Sequence, residues 1–205
     1  MIKNIITDVG QVILKFECYN CLKDITDNEE EYRFLCNITF DSPNWSKYDR
    51  GDFQKNEFEE YLKSLVQTDK QKNQIHELML HWRDYLVLNE PMVDLIYKFK
   101  KNGYKLYILS NAPYEVPVYL SSYHLIKPFD GIVFSCYERS LKPEKKIYEN
   151  LLNRYNLKPE ESLFIDDRKA NIATAKELKF NTYEYEYDEH DDALKALMTM
   201  GLKIE

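Results

Sequence analysis

Short, continuous apolar runs that stop abruptly at polar residues recur along this chain. They constrain its fold more than any other feature. Residues 3–7 (KNIIT) stop at Asp8-Val9-Gly10, residues 104–109 (YKLYIL) at Ser110-Asn111, and residues 162–165 (SLFI) at Asp166-Asp167. Residues 131–135 (GIVFS) form a fourth run, and residues 181–187, alternating and rich in Tyr, form a fifth. Apolar runs of this length read as buried strands. Helical patterns lie between them. Residues 91–102 carry Met92, Leu95, Ile96 and Phe99 at helical spacing, Pro91 suits a first turn and Gly103 a C-cap. Residues 143–155 repeat that entry, with Ile147, Leu151 and Leu152 on one face, and residues 171–178 and 191–200 complete the set. Strands alternating with helices imply parallel βαβ units, hence an α/β fold with a doubly wound parallel sheet.

One stretch departs from this rhythm. Residues 16–88 show helical patterns and no strand. Phe58, Leu62, Leu65 and Val66 share one helix face, as do Ile75, Leu78, Met79 and Trp82. The simplest organisation is a core of residues 1–15 and 89–205 with a helical insertion over 16–88. With 205 residues the chain suffices for one domain carrying such an insertion. A net charge of −7 disfavours a general nucleic-acid binder, which carries a basic patch. No apolar run approaches the ~20 residues of a membrane span, and the N-terminal run is too short for a signal peptide, so a cytoplasmic location is expected.

Several motifs fail on inspection. None of the five glycines falls in GxGxxG or a Walker loop, and there is no GxSxG elbow. Cys18 and Cys21 form a CxxC, but no second pair or nearby His completes a zinc site, so all four cysteines read as plain thiols. His76-Glu77 and His81 approach a zincin motif with one residue too many, and five helical steps set the imidazoles about 140° apart.

What survives is the set of polar strand ends. Ligands of open parallel sheets bind at the carboxyl ends of the strands, where Asp8, Ser110, Asn111, Asp166 and Asp167 would gather, with Lys142 opening a helix nearby. Singly, each is an ordinary turn or cap residue. Together they suit phosphoryl transfer. A carboxylate can attack phosphorus to form an aspartyl-phosphate that water then cleaves. Clustered carboxylates can hold Mg²⁺ against the substrate's phosphate. Ser110 and the Asn111 backbone N–H can hold phosphate oxygens, and Lys142 adds a positive charge.

The order Asp8-Val9-Gly10, Ser110-Asn111, Lys142-Pro143, Asp166-Asp167 resembles the four motifs of the haloacid dehalogenase (HAD) superfamily across the whole chain. The segment Tyr48-Asp49-Arg50-Gly51-Asp52 resembles a sugar-phosphatase branch that includes bacterial α-D-glucose-1-phosphate phosphatases and the N-terminal domains of epoxide hydrolases. The resemblance implies a HAD-like Rossmannoid core with residues 16–88 as a helical cap. It implies that Asp8 is the nucleophile and a metal ligand, that the Gly10 carbonyl and Asp167 are further ligands, and that Asp166 ligates directly or through water. It also implies that Ser110 and Asn111 bind phosphate, while Lys142 bridges phosphate and Asp8.

The chain departs from the family at Gly10, where most of its phosphatases carry a second Asp that serves as acid and base. A positioned acid–base group is worth about 10²–10⁴ in rate. Three consequences are open: tolerance of the change with a good leaving group, an acid supplied by Asp49 or Asp52 of the cap, or a protein that binds phosphorylated ligands and turns them over weakly. A 2-haloacid dehalogenase, which attacks carbon and needs no metal, fits the Asp166-Asp167 pair less well. Trp45, Tyr48 and Arg50 are cap residues that could reach the pocket. The expected activity is Mg²⁺-dependent hydrolysis of a phosphomonoester, with a small sugar phosphate or similar metabolite as substrate.

Overall fold

The computed structural model describes residues 1–187 and 189–204. Strand β1 (Asn4–Thr7) leads through a tight turn into β2 (Leu14–Phe16). Five helices follow, α1 (Cys18–Ile25), α2 (Glu29–Ile38), α3 (Pro43–Asp49), α4 (Lys55–Ser64) and α5 (Asp69–His81). After a short 3₁₀ turn the chain returns through β3 (Leu86–Leu88). The order is then α6 (Glu90–Lys101), β4 (Lys105–Ser110), α7 (Glu115–Ser122), β5 (Gly131–Phe134), α8 (Ser135–Glu138), α9 (Lys145–Tyr155), β6 (Ser162–Asp166), α10 (Lys169–Glu177), β7 (Asn181–Glu184) and α11 (His190–Thr199).

The main sheet has the order β5-β4-β1-β6-β7, and every neighbouring pair is parallel. The chain builds outward from β1 on one side, then crosses to build the other, which is the doubly wound arrangement anticipated from the alternation of patterns. Successive residues point to opposite faces, so each strand feeds two cores. Ile5, Leu106, Ile108, Leu163 and Ile165 pack with α6 and α11, while Ile6, Tyr107, Leu109 and Phe164 pack with α9 and α10. Burial on both faces is why these strands read as unbroken apolar runs.

The register aligns Thr7 with both Ile108 and Ile165. Asp8, Ser110 and Asp166 therefore end three adjacent strands at the same edge. The edge strand β7 is only partly buried, which matches its alternating Tyr-rich sequence.

The insertion departs from expectation in one respect. It is not purely helical, because β2 and β3 pair antiparallel, Leu14 with Leu88 and Phe16 with Leu86. Each strand has three residues, with Val87 and Leu88 exposed, too short and too wet to leave a periodic signal. The expected helix face holds at Ile75, Leu78, Met79 and Trp82, all fully buried, but Leu65 is exposed although Phe58, Leu62 and Val66 are buried. The four cysteines are buried free thiols. Burial pushes Cys21 up to about 12, so it is inert at neutral pH. Among the described residues no helix is long and apolar enough to cross a membrane.

Candidate active site

Asp8 follows β1 and is nearly buried. Its backbone N–H donates to the Ile165 carbonyl at 2.9 Å, which ties it to β6. The next turn is tight, since the Val9 carbonyl accepts the amides of Val12, Ile13 and Leu14. The Asp8 carboxylate accepts the Val9 N–H at 2.7 Å and lies 2.9 Å from Lys142 Nζ. Both contacts fall on Oδ1. Among the described residues Oδ2 has no hydrogen bond, so one oxygen fixes the carboxylate and the other remains available for chemistry.

Lys142 is buried and joins two carboxylates, with Nζ also 2.6 Å from Asp166 Oδ2. Its position comes from Asn111, whose side-chain amide donates to the Lys142 carbonyl at 2.9 Å and whose oxygen accepts the Lys142 N–H at 2.8 Å. The Asn111 side chain is thus committed to holding the lysine loop, and only its backbone is left for a ligand. Ser110 and Asn111 both line the cavity described below.

Asp166 is fully buried. Besides Lys142, it accepts the Arg168 N–H at 2.8 Å and the Asn171 amide at 2.9 and 3.1 Å. The sequence marks Asn171 only as the start of a helix. Its role is invisible there because it depends on α10 turning back over the end of β6. One ligand oxygen from each of Asp8, Asp166 and Asp167 lies within 4.8 Å of the others.

Burial pushes the Asp8 pKa up to about 7, opposed by Lys142 and reinforced by Asp166 and Asp167. Burial likewise pushes Asp167 up to about 6, with Asp166 adding to it and Lys142 opposing. Desolvation works against the Lys142 charge, but Asp8 and Asp166 outweigh it and hold its pKa above the usual lysine range. The cluster therefore carries more carboxylates than one ammonium neutralises, with oxygen donors throughout, and this fits a hard divalent ion.

A cavity of about 330 Å³ opens over these residues, the size of a small-ligand pocket. Asp8, Gly10, Ser110, Lys142 and Asp167 are among its polar lining residues, and Phe16, Tyr19, Phe40, Trp45 and Trp82 give it an aromatic wall. The aromatic rings pack edge to face, Phe40 against Trp45 at 4.5 Å and Trp45 against Trp82 at 5.4 Å. Of the insertion residues singled out from the sequence, Trp45 lines this wall. Tyr48 is buried and its hydroxyl donates to Glu115, while Arg50 sits 3.6 Å from Glu144. Asp49 lines the cavity and Asp52 does not, pairing instead with Arg139 at 3.5 Å.

The family model described as haloacid dehalogenase-like hydrolase matches residues 6–179. The solved structure of a predicted HAD-like family hydrolase from Porphyromonas gingivalis is 27% identical and superposes with a TM-score of 0.74 over 99% of each chain. A D-ribitol-5-phosphate phosphatase of Bacteroides thetaiotaomicron is 24% identical over 201 residues, 91% of this chain and 93% of that protein. A sesquiterpene phosphatase of Aspergillus oryzae is 25% identical over 174 residues, 84% of each. A mouse acyl-CoA dehydrogenase family member 10 is 37% identical over 71 residues, but the match spans only 35% of this chain and 6% of that protein.

Proposed function

The chain belongs to the haloacid dehalogenase-like hydrolases, and from that premise we propose that it is a Mg²⁺-dependent phosphatase, hydrolysing a small phosphomonoester through an aspartyl-phosphate on Asp8. The observation that carries this reading is the cluster of Asp8, Asp166 and Asp167 around one buried lysine at the strand ends. Asp8, Asp167 and the Gly10 carbonyl would hold the ion, with Asp166, its oxygens already engaged by Lys142, Asn171 and Arg168, completing the site from behind. When bound, Mg²⁺ supplies charge neutralisation for the phosphate.

The remaining chemistry belongs to the chain. An Asp8 oxygen attacks phosphorus as the bond from phosphorus to the alcohol oxygen breaks. The Ser110 hydroxyl and the Asn111 backbone N–H hold phosphate oxygens, and the Lys142 ammonium, fixed beside Asp8, stabilises the charge that develops there. Water then cleaves the acyl phosphate, restoring Asp8 and releasing inorganic phosphate. A dehalogenase would leave the Asp167 carboxylate without a task.

For the alcohol, a sugar or polyol is the first reading, supported by the D-ribitol-5-phosphate phosphatase relative. A second reading, an apolar alcohol, is favoured by the aromatic lining of the cavity and by the sesquiterpene phosphatase relative. A panel of glucose 1-phosphate, ribitol 5-phosphate and farnesyl monophosphate, assayed for released phosphate with Mg²⁺ and with EDTA, separates the two. Turnover that needs Mg²⁺ and disappears in Asp8→Asn is expected. Binding of these esters without release of phosphate would mean a phosphate-ligand binder instead, and an active Asp8→Asn protein would remove Asp8 from the chemistry.

A further inference from the structure

Two proton transfers must accompany the reaction proposed above. When the bond from phosphorus to the alcohol breaks, the leaving oxygen needs a proton. When water cleaves the acyl phosphate, it loses one. A single carboxyl that gives its proton in the first step and takes one back in the second balances both.

Few groups at the cavity are free for that task. Asp8 is the nucleophile, Asp167 belongs to the carboxylate cluster, and Lys142 bridges Asp8 and Asp166. The Arg168 guanidinium does not deprotonate in proteins. The Tyr19 hydroxyl donates to Asp41 at 2.6 Å, and burial together with Asp41 pushes its pKa further up. Gly10 has no side chain, and a Cβ built there meets nothing within 4 Å, so the space beside Asp8 is open.

We propose that Asp49, reaching the cavity from the helical insertion, is the general acid–base of this site, protonating the leaving alcohol and then deprotonating the attacking water. The inference rests on the phosphatase reading. Its warrant is placement. Asp49 ends α3 and lines the same cavity as Asp8. Its carbonyl accepts the Ser135 hydroxyl at 2.5 Å, and the same hydroxyl oxygen accepts the Ala112 N–H at 2.9 Å, so the segment is stitched to the loop that follows Ser110. Two residues on, Gly51 adopts φ +79°, and a Cβ there would lie 2.4 Å from the Cys136 carbonyl oxygen, so the two backbones touch. Arg139 holds Asp52 just beyond. The insertion thus presents Asp49 from a fastened segment, and among the described residues its carboxylate has no hydrogen bond or ion pair. The charges that act on it are Arg168, which lowers its pKa, and Asp8, which raises it, while burial, the largest influence, carries it up to about 7. A carboxyl poised near neutrality is suited to giving and taking a proton.

The test compares p-nitrophenyl phosphate, whose leaving group needs no proton, with β-glycerol phosphate, whose alkoxide does. In Asp49→Asn, turnover of β-glycerol phosphate should fall about 10²–10⁴-fold. The first nitrophenolate turnover in stopped flow should persist, with phosphoenzyme accumulating because the second step lacks its base. Adding Gly10→Asp to Asp49→Asn should recover β-glycerol phosphate turnover at least about tenfold, a rescue that a merely structural role for Asp49 does not predict. Wild-type activity on the alkyl ester should also fall as pH rises through about 7, since the acid must be protonated to donate, and that limb should vanish in Asp49→Asn. A wild type inactive on both esters overturns the phosphatase reading and this role with it. An active wild type whose Asp49→Asn variant is unchanged, or loses both esters including the burst in equal measure, overturns the role of Asp49 alone.

Discussion

At the scale of single residues, Asp166 shows how closely the carboxylate cluster is held by its neighbours. Its oxygens take Lys142, Asn171 and the Arg168 N–H, and through Lys142 they set the position of Asp8. Asn171→Leu removes one of these partners and leaves a buried carboxylate short of a donor, at a cost of about 1–3 kcal/mol. Activity should fall roughly 10–100-fold, as it does when groups supporting metal ligands are removed, with a parallel loss of Mg²⁺ affinity. Steady-state kinetics across a Mg²⁺ titration checks both. The carboxylates gathered at the sheet edge were legible in the sequence because they end or directly follow strands, where chain order alone says they will meet, whereas Lys142 does not open a helix as expected but reaches them from the turn before α9. Asn171 was not legible, nor could the sequence choose Asp49 over Asp52. Only two residues lie between them, and the packing of the loop on Ser135 and Arg139 decides which one enters the cavity.

At the scale of elements, the turn after α3 is where the insertion meets the core. Gly51 combines a left-handed φ with an approach to the Cys136 carbonyl that leaves no room for a methyl group. Gly51→Ala should therefore cost about 1–3 kcal/mol, or roughly 2–4 °C of melting temperature for each kcal/mol in a chain of this size. Activity should drop further than stability, because Asp49 moves with the turn. Thermal melts and kinetics on the same sample separate the two effects. The inner strands β4, β1 and β6 were legible because burial on two faces leaves continuous apolar runs, and the edge strand β7 by its alternation instead. The helix Glu115–Ser122 was not, since Pro117 breaks its pattern and only Val116, Pro117 and Leu120 mark a buried face. The ribbon of Leu14–Phe16 and Leu86–Leu88 was missed because three half-wet residues carry no period.

At the scale of the whole molecule, the carboxylate cluster couples stability to pH, and the proposed ion would couple it to metal as well. Burial raises the Asp8 pKa to about 7 in the folded chain, well above its unfolded value, so the folded state binds the proton more tightly. The contribution of Asp8 to stability is therefore full below the ordinary carboxylate range and is lost as pH rises through about 7. In EDTA at about pH 8, Asp8→Asn, which cannot ionise, should melt above the parent, and the gap should close toward about pH 4. Saturating Mg²⁺ should reverse the order, since ion at 100 times its Kd adds about 2.7 kcal/mol to the parent. Calorimetry with and without the ion checks this. The β2–β3 ribbon has a consequence of another kind, for how the chain assembles. Strand β1 must find β4, Asn4 beside Lys105, across the whole length of the insertion. Once Leu14 has zipped to Leu88, the helices between them form a closed side loop, and the search left to β1 spans only the two short arms on either side. Because loop-closure entropy grows only logarithmically, about 0.6 kcal/mol per doubling, the side loop can lengthen or shorten with little penalty to the sheet. The part of the protein proposed to meet the alcohol would thereby be left free to diverge while the part that holds Asp8 stays as it is.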